Sequence, residues 1–194
     1  MITKLLFFPE FDLNSGYGHL NRLLAFAEQL NDIYKIEFVF THKAPINFQF
    51  SYFTLNESNS TIEEINNLSQ KIDYQQTALV LDGYHFNQDY QKKLKHKLNK
   101  LKLIYVDDLA GKQNYADIII NHAPGAKSTH YQISNQSTLL LGIKYLMIRK
   151  EFLNQNENVT KSVEGSIFIC FGGIDKENWT KYFVNQLAKV DKIK

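Results

Sequence analysis

Short apolar runs, broken by polar or glycine-bearing turns, alternate along this chain with segments in which apolar residues recur every three or four positions. The runs are Leu5-Leu6-Phe7-Phe8, Ile36-Glu37-Phe38-Val39-Phe40, Ala78-Leu79-Val80-Leu81, Leu103-Ile104-Tyr105-Val106 and Asp117-Ile118-Ile119-Ile120-Asn121. Each has the length and composition of a strand. Phe48 to Leu55 and Leu139 to Leu141 add two shorter ones. Between them, Leu20, Leu23, Leu24, Ala27 and Leu30 mark one face of a helix. Ile62, Ile65, Leu68 and Ile72 mark a second across Thr61 to Ile72, and Leu94, Leu98 and Leu101 a third that starts at Asn87. Strands alternating with helices predict an α/β fold with a mainly parallel sheet covered on both faces.

The pattern lapses between Asn154 and Glu164, which are polar and without apolar period, and resumes at Ser166-Ile167-Phe168-Ile169-Cys170-Phe171. Gly172-Gly173 and a helix from Asn178 to Val190 follow. The expected organisation is a first domain over residues 1–153, a linker over 154–165, and the start of a second α/β unit over 166–194. One strand and one helix do not bury both faces of a sheet. The second unit therefore packs on the first domain, or another segment or partner chain completes it.

Composition narrows the function classes. With 194 residues, 22% of them charged, and a net charge of +2, the chain reads as an ordinary globular protein and not as a nucleic-acid binder. Its one cysteine, Cys170, excludes an internal disulfide, and its apolar neighbours predict burial. The apolar run at the amino terminus, ended by Pro9-Glu10, is too short for a signal peptide or a membrane span. The expectation is a cytoplasmic protein without membrane insertion. His42, His85, His96, His122 and His130 show no helical i,i+4 pairing and no cysteine partner, so no metal is expected.

The polar breaks carry the candidate chemistry. In parallel sheets, ligands sit beyond the carboxyl ends of the strands. Gly16-Tyr17-Gly18-His19, Asp82-Gly83-Tyr84, Asp107-Asp108 and Asn121 all follow apolar runs and are placed to converge on that edge. Gly16 and Gly18 let backbone approach a ligand, and the following helix start offers unpaired N–H groups. The third glycine of a dinucleotide fingerprint is missing, since Arg22 and Leu23 stand there. His19, at the positive helix end, is expected to be neutral near pH 7 and suited to a general base; a capping or packing role is the other reading. Asp82 is read as an acid/base carboxylate or a cap, and Tyr84 as a ligand-facing ring or wall. Asp107 and Asp108, adjacent in extended chain, point opposite ways and do not share one ligand. Arg149, closing the run Tyr145-Leu146-Met147-Ile148, suits a diphosphate or sugar, or a surface ion pair. Gly172-Gly173 repeats the strand-turn-helix design of the first glycine turn.

Several blocks in order resemble one family. They are Gly16-Tyr17-Gly18-His19-Leu20-Asn21-Arg22, Leu79-Val80-Leu81-Asp82-Gly83-Tyr84, Tyr105-Val106-Asp107-Asp108, Ala116-Asp117-Ile118-Ile119-Ile120-Asn121, Tyr145 to Phe152, and Cys170-Phe171-Gly172-Gly173-Ile174-Asp175. Together they are similar to the nucleotide-sugar hydrolases of pseudaminic acid biosynthesis (PseG/SpsG-like), which release a diacetamido-trideoxy sugar from its UDP derivative. The resemblance implies a GT-B arrangement of two Rossmann-like domains, related to glycosyltransferases, with a UDP-sugar substrate and no cofactor. It implies that His19 activates water at the anomeric carbon. Gly16, Gly18, Asp82, Tyr84, Asn121 and Arg149 would face substrate, and Gly172 and Gly173 the nucleotide. A glycosyltransferase, or a half-protein needing a partner domain to bind nucleotide, are the alternatives. One departure stands out: the family's Asp-His-Tyr block is Asp82-Gly83-Tyr84 here, with His85 beyond the tyrosine.

Overall fold

The computed structural model describes residues 1–12, 16–110, 113–133, 136–153, 166–172 and 175–190. Strands β1 (Lys4–Pro9), β2 (Lys35–Phe40), β3 (Ser51–Thr54), β4 (Thr77–Asp82), β5 (Lys102–Val106), β6 (Ile118–Asn121) and β7 (Thr138–Leu141) form one sheet in the order β3-β2-β1-β4-β5-β6-β7. Every pairing is parallel. Helices α1 (Gly18–Leu30), α2 (Thr61–Ser69) and α3 (Gln88–Lys97) supply crossovers, and α4 (Lys150–Leu153) and α5 (Trp179–Leu187) follow the sheet. The fold is α/β, a Rossmann-like open parallel sheet.

Period-two alternation explains why the strands read as unbroken apolar runs. Leu5 and Phe7 of β1, Phe38 and Phe40 of β2, and Ala78 and Val80 of β4 pack with Leu20, Leu23 and Ala27 of α1 on one face. Leu6, Phe8, Val39, Leu79 and Leu81 face the other way, onto Ile65 and Leu68 of α2 and Tyr90 and Leu94 of α3. Both faces of β1 and β4 are therefore dry, as a central parallel strand requires. Strand order reverses between β1 and β4, because the chain first builds outward through β2 and β3 and then returns to the far side of β1. Such a switch point opens a crevice at the carboxyl ends of the strands.

The helices are fixed locally as well as by packing. Ser60 caps α2 by accepting a hydrogen bond from the Glu63 N–H at 3.2 Å, while the Glu63 carboxylate accepts one from Asn59 N–H at 2.9 Å. Asn87 caps α3 through the N–H groups of Asp89 and Tyr90. At α1 the cap residue is Tyr17, which supplies no side-chain hydrogen bond. Among the described residues, no side chain at the cap position satisfies the first N–H groups of α1.

Two expectations are corrected. The third strand begins at Ser51 and not Phe48, because Phe48 and Phe50 turn inward onto the Phe38 and Phe40 rings, with centroids 5.0–5.5 Å apart. Ser166 to Phe171 forms no strand among the described residues: Phe168 is 90% exposed, and Cys170 is exposed where burial was expected. An apolar run becomes a strand only beside a partner for its N–H and C=O groups, and among the described residues β7 pairs with β6 alone. The 154–165 segment lies outside the described residues. No helix among those described is long and apolar enough to cross a membrane.

Candidate functional site

The crevice at the switch point holds four ionisable side chains in mutual contact. His19 is the second residue of α1, and Arg22, one turn later, lies on the same side of that helix. Across the crevice β4 ends at Asp82, which pairs in register with Pro9 of β1 and is fully buried. Asp108 follows β5.

The His19 Nδ1–H donates to Asp82 Oδ1 at 2.8 Å. Arg22 grips the same carboxylate side-on, Nε to Oδ2 at 2.7 Å and Nη2 to Oδ1 at 2.5 Å. With its outer edge it donates to Asp108, Nη1 to Oδ1 at 2.5 Å and Nη2 to Oδ2 at 3.0 Å. Asp82 is thus held by a planar cation on one side and an imidazole on the other. Its burial is compensated, and the histidine tautomer is set: in the neutral ring Nδ1 carries the proton and Nε2 is the basic nitrogen.

Two opposing influences act on the His19 ring. A helix end was expected to keep His19 uncharged, but its pKa is raised, chiefly by the hydrogen bond to Asp82, with burial and the Arg22 charge opposing. A helix terminus carries about half an elementary charge, spread over several N–H groups. A full carboxylate at 2.8 Å outweighs it. His19 is therefore a stronger base than a free imidazole, and it accepts a proton only above its raised pKa. Burial alone would raise Asp108, but hydrogen bonding to Arg22 wins and holds its carboxyl below the usual range.

The other predicted residues separate. Tyr84 stands half-exposed at the mouth, its ring edge-on to His19 at 5.1 Å between centroids. A Cβ added at Gly16 or Gly18 would meet nothing within 4 Å, so both border open space, and Gly16 needs its glycine for φ +105°. Asn121 turns inward instead: Nδ2 donates to the Tyr131 hydroxyl at 2.8 Å and Oδ1 accepts from Ala123 N–H at 2.9 Å. The Tyr131 hydroxyl donates in turn to Asp107, which also caps its own loop through Leu109 and Ala110 N–H. Asp107 and Asp108 thus diverge, as strand alternation requires, one supporting the loop and one facing Arg22. Arg149 pairs with Glu151 at 2.7 Å and lies over the Phe152 ring, yet with Arg22 it lines a cavity of about 370 Å³ beside α1. Gly172, at φ +80°, lies in exposed chain leading to α5, whose first N–H groups Asp175 caps; Gly173 lies outside the described residues.

Asp108, which the sequence placed on the converging edge, reaches the cluster through Arg22, a residue to which sequence reading assigned no role of its own. The available signal was the i,i+3 spacing from His19, which puts both side chains on one side of a helix that opens at the crevice. Among the described residues no group of three His, Cys, Asp or Glu side chains is arranged to hold a metal ion.

A Rossmann-like α/β protein with an aspartate-held imidazole at its switch point is the class these features define. Over 193 residues the chain is 27% identical to the UDP-2,4-diacetamido-2,4,6-trideoxy-beta-L-altropyranose hydrolase of Campylobacter jejuni, an alignment covering 96% of this chain and 66% of that enzyme. It is 24% identical over 204 residues to an uncharacterized protein of Methanocaldococcus jannaschii, covering 97% of this chain and 40% of the relative. The chain therefore spans just under two thirds of the first relative's length and less than half of the second's. No family model matches. The resemblance carried by the sequence blocks is thus supported by a curated hydrolase aligned along nearly the whole chain.

Proposed function

We propose that this chain carries the water-activating half of a nucleotide-sugar hydrolase, cleaving a UDP-linked diacetamido-trideoxy sugar to free sugar and UDP in pseudaminic acid biosynthesis in the cytoplasm. The observation that carries the reading is the His19–Asp82 contact at 2.8 Å in the switch-point crevice. His19 Nε2 removes a proton from water, the oxygen attacks the anomeric carbon, and the bond from that carbon to the diphosphate oxygen breaks with inversion. Asp82 steadies the imidazolium that forms, as the aspartate of a hydrolytic triad does. Asp82 is thereby a positioning residue, while Tyr84 flanks the sugar and the Gly16–Gly18 turn lets it approach. The α1 N-terminus and Arg149 receive the departing negative charge, and the Gly172-Gly173 turn borders the nucleotide in a second, GT-B-like unit.

Incubating the chain with the UDP-diacetamido sugar tests this. UDP release that disappears in His19→Asn supports it; unchanged turnover in that variant removes His19 as the base, and UDP appearing only with an added acceptor makes the chain a glycosyltransferase. A second reading is a half-protein that binds nucleotide only with a partner domain. It is favoured by the exposed rings of Trp179, Tyr182 and Phe183 on α5. Calorimetry with UDP separates the two: no heat from the chain alone, with binding restored by an added partner domain, marks the half-protein.

A further inference from the structure

Beside the His19 crevice, at the carboxyl ends of β1 and β2, lies a second cavity of about 490 Å³. Its rim meets the end of β4 at Asp82. Glu10 N–H donates to the Asp82 carbonyl at 2.7 Å, and a Cβ at Gly83 would fall 2.1 Å from Glu10 Cβ. Inside, Glu64 of α2 is buried and accepts from His85 Nε2 at 3.2 Å, while Glu10 accepts from the His85 backbone N–H at 3.0 Å. The lining also contains Asp12, Glu57 and His42, and no lysine or arginine among the described residues. The cavity on the other flank has the opposite character, with Arg22 and Arg149 and no acidic residue in its lining.

We propose that the Glu10–Glu64–His85 cavity is a recognition subsite for the acylamino group of a sugar, and that it excludes phosphate. The inference rests on the hydrolase reading for which substrate enters, but its chemistry is local. An acylamino group presents one N–H donor and one C=O acceptor. Glu10 and Glu64 accept from the N–H, the neutral His85 ring with its Nε2–H on Glu64 offers Nδ1 as a further acceptor, and the Thr41 and Ser58 hydroxyls in the lining can donate to the C=O. A diphosphate meets the carboxylates of Glu10, Asp12, Glu57 and Glu64 there with no lysine or arginine in the lining to offset them, and like charges repel at this range. The two cavities thus orient the substrate, with its sugar toward Glu10 and His85 and its diphosphate toward the α1 N-terminus and Arg149. His85, which stands beyond the tyrosine where the resembling family has Asp-His-Tyr, becomes a specificity residue.

Nuclear magnetic resonance titration of the 194-residue chain with methyl N-acetyl-β-D-glucosaminide and, separately, with inorganic pyrophosphate tests the proposal. The glycoside should shift the His85 backbone amide saturably, and pyrophosphate should shift the Gly18 and His19 amides without moving His85. Glu64→Gln and His85→Gln should each weaken glycoside binding by about tenfold, the worth of one charge-assisted hydrogen bond. No shift at His85 up to the solubility limit of the glycoside, equal shifts there with pyrophosphate, or unchanged affinity in both variants overturns it. The readout does not depend on turnover. UDP release without a glycoside shift at His85 removes this subsite alone, whereas a shift without UDP release removes the hydrolase reading and keeps the subsite.

Discussion

Asp82→Asn isolates the contact on which the site depends. The carboxylate has no solvent exposure, accepts from His19 once and from Arg22 twice, and lies at the end of a central strand. Removing one member of a buried ion pair costs about 3–5 kcal/mol. Arg22 keeps its two hydrogen bonds to Asp108 in the variant, so the low end, about 3 kcal/mol, is expected. Domains are stable by about 5–15 kcal/mol, so the variant should fold. With a urea m-value of about 2 kcal/mol/M its midpoint should fall by about 1.5 M. The ring titration of His19, followed by nuclear magnetic resonance, should move down, because the hydrogen bond that raises its pKa is lost. The stability difference should also depend on pH. A histidine raised above 6.5 stabilises the fold fully below that value, and the contribution is lost as pH rises through the folded pKa. The variant lacks that increment, so the gap between the two proteins should narrow from the acid side of this window to the alkaline side. An unchanged urea midpoint together with an unchanged His19 titration would refute the reasoning.

Three further outcomes follow from the same geometry. The acid limb of kcat/KM for UDP release should lie above pH 6.5, since the imidazole must be unprotonated to act, and should shift to lower pH in Asp82→Asn; a limb below 6.5 in the parent chain counts against His19 as the base. Gly83→Ala should destabilise by about 2–4 kcal/mol in urea melts, combining a clash with Glu10 and a φ of +149°, whereas Gly18→Ala, bordering open space in a helical first turn, should stay within about 1 kcal/mol while weakening UDP-sugar turnover. Ser60→Ala should cost about 1 kcal/mol by removing the α2 cap, read as a lower thermal midpoint without loss of UDP release.

Much of this architecture is visible in the chain because central parallel strands are apolar on both faces. Phe7 and Leu6 point to opposite sides of one sheet, yet both must be dry, so the run announces itself. The same logic exposes Asp82, a charge that ends a buried run, and His19, a polar residue opening a helix after a glycine turn. Arg22 was less visible because a long cation on a helix ordinarily reads as a solvated face, and only the arrival of Asp82 and Asp108 from distant strands shows that it is enclosed. The upward push on the His19 pKa was hidden for the same reason: the helix end is local, and the carboxylate that raises it lies 63 positions away. Ser166 to Phe171 shows the converse limit. Its composition is that of β1, but strand formation depends on a neighbour that composition does not reveal.

The pairing of Pro9 with Asp82 also makes the crevice a gauge of how the two central strands are threaded. A slip by a single residue would turn Asp82 to the opposite surface of the sheet. The imidazole would then titrate as a solitary ring, while overall helix and sheet content stayed nearly the same. A shifted His19 resonance is therefore a signature of correct threading that circular dichroism would miss, and it serves for judging variants before any substrate is at hand.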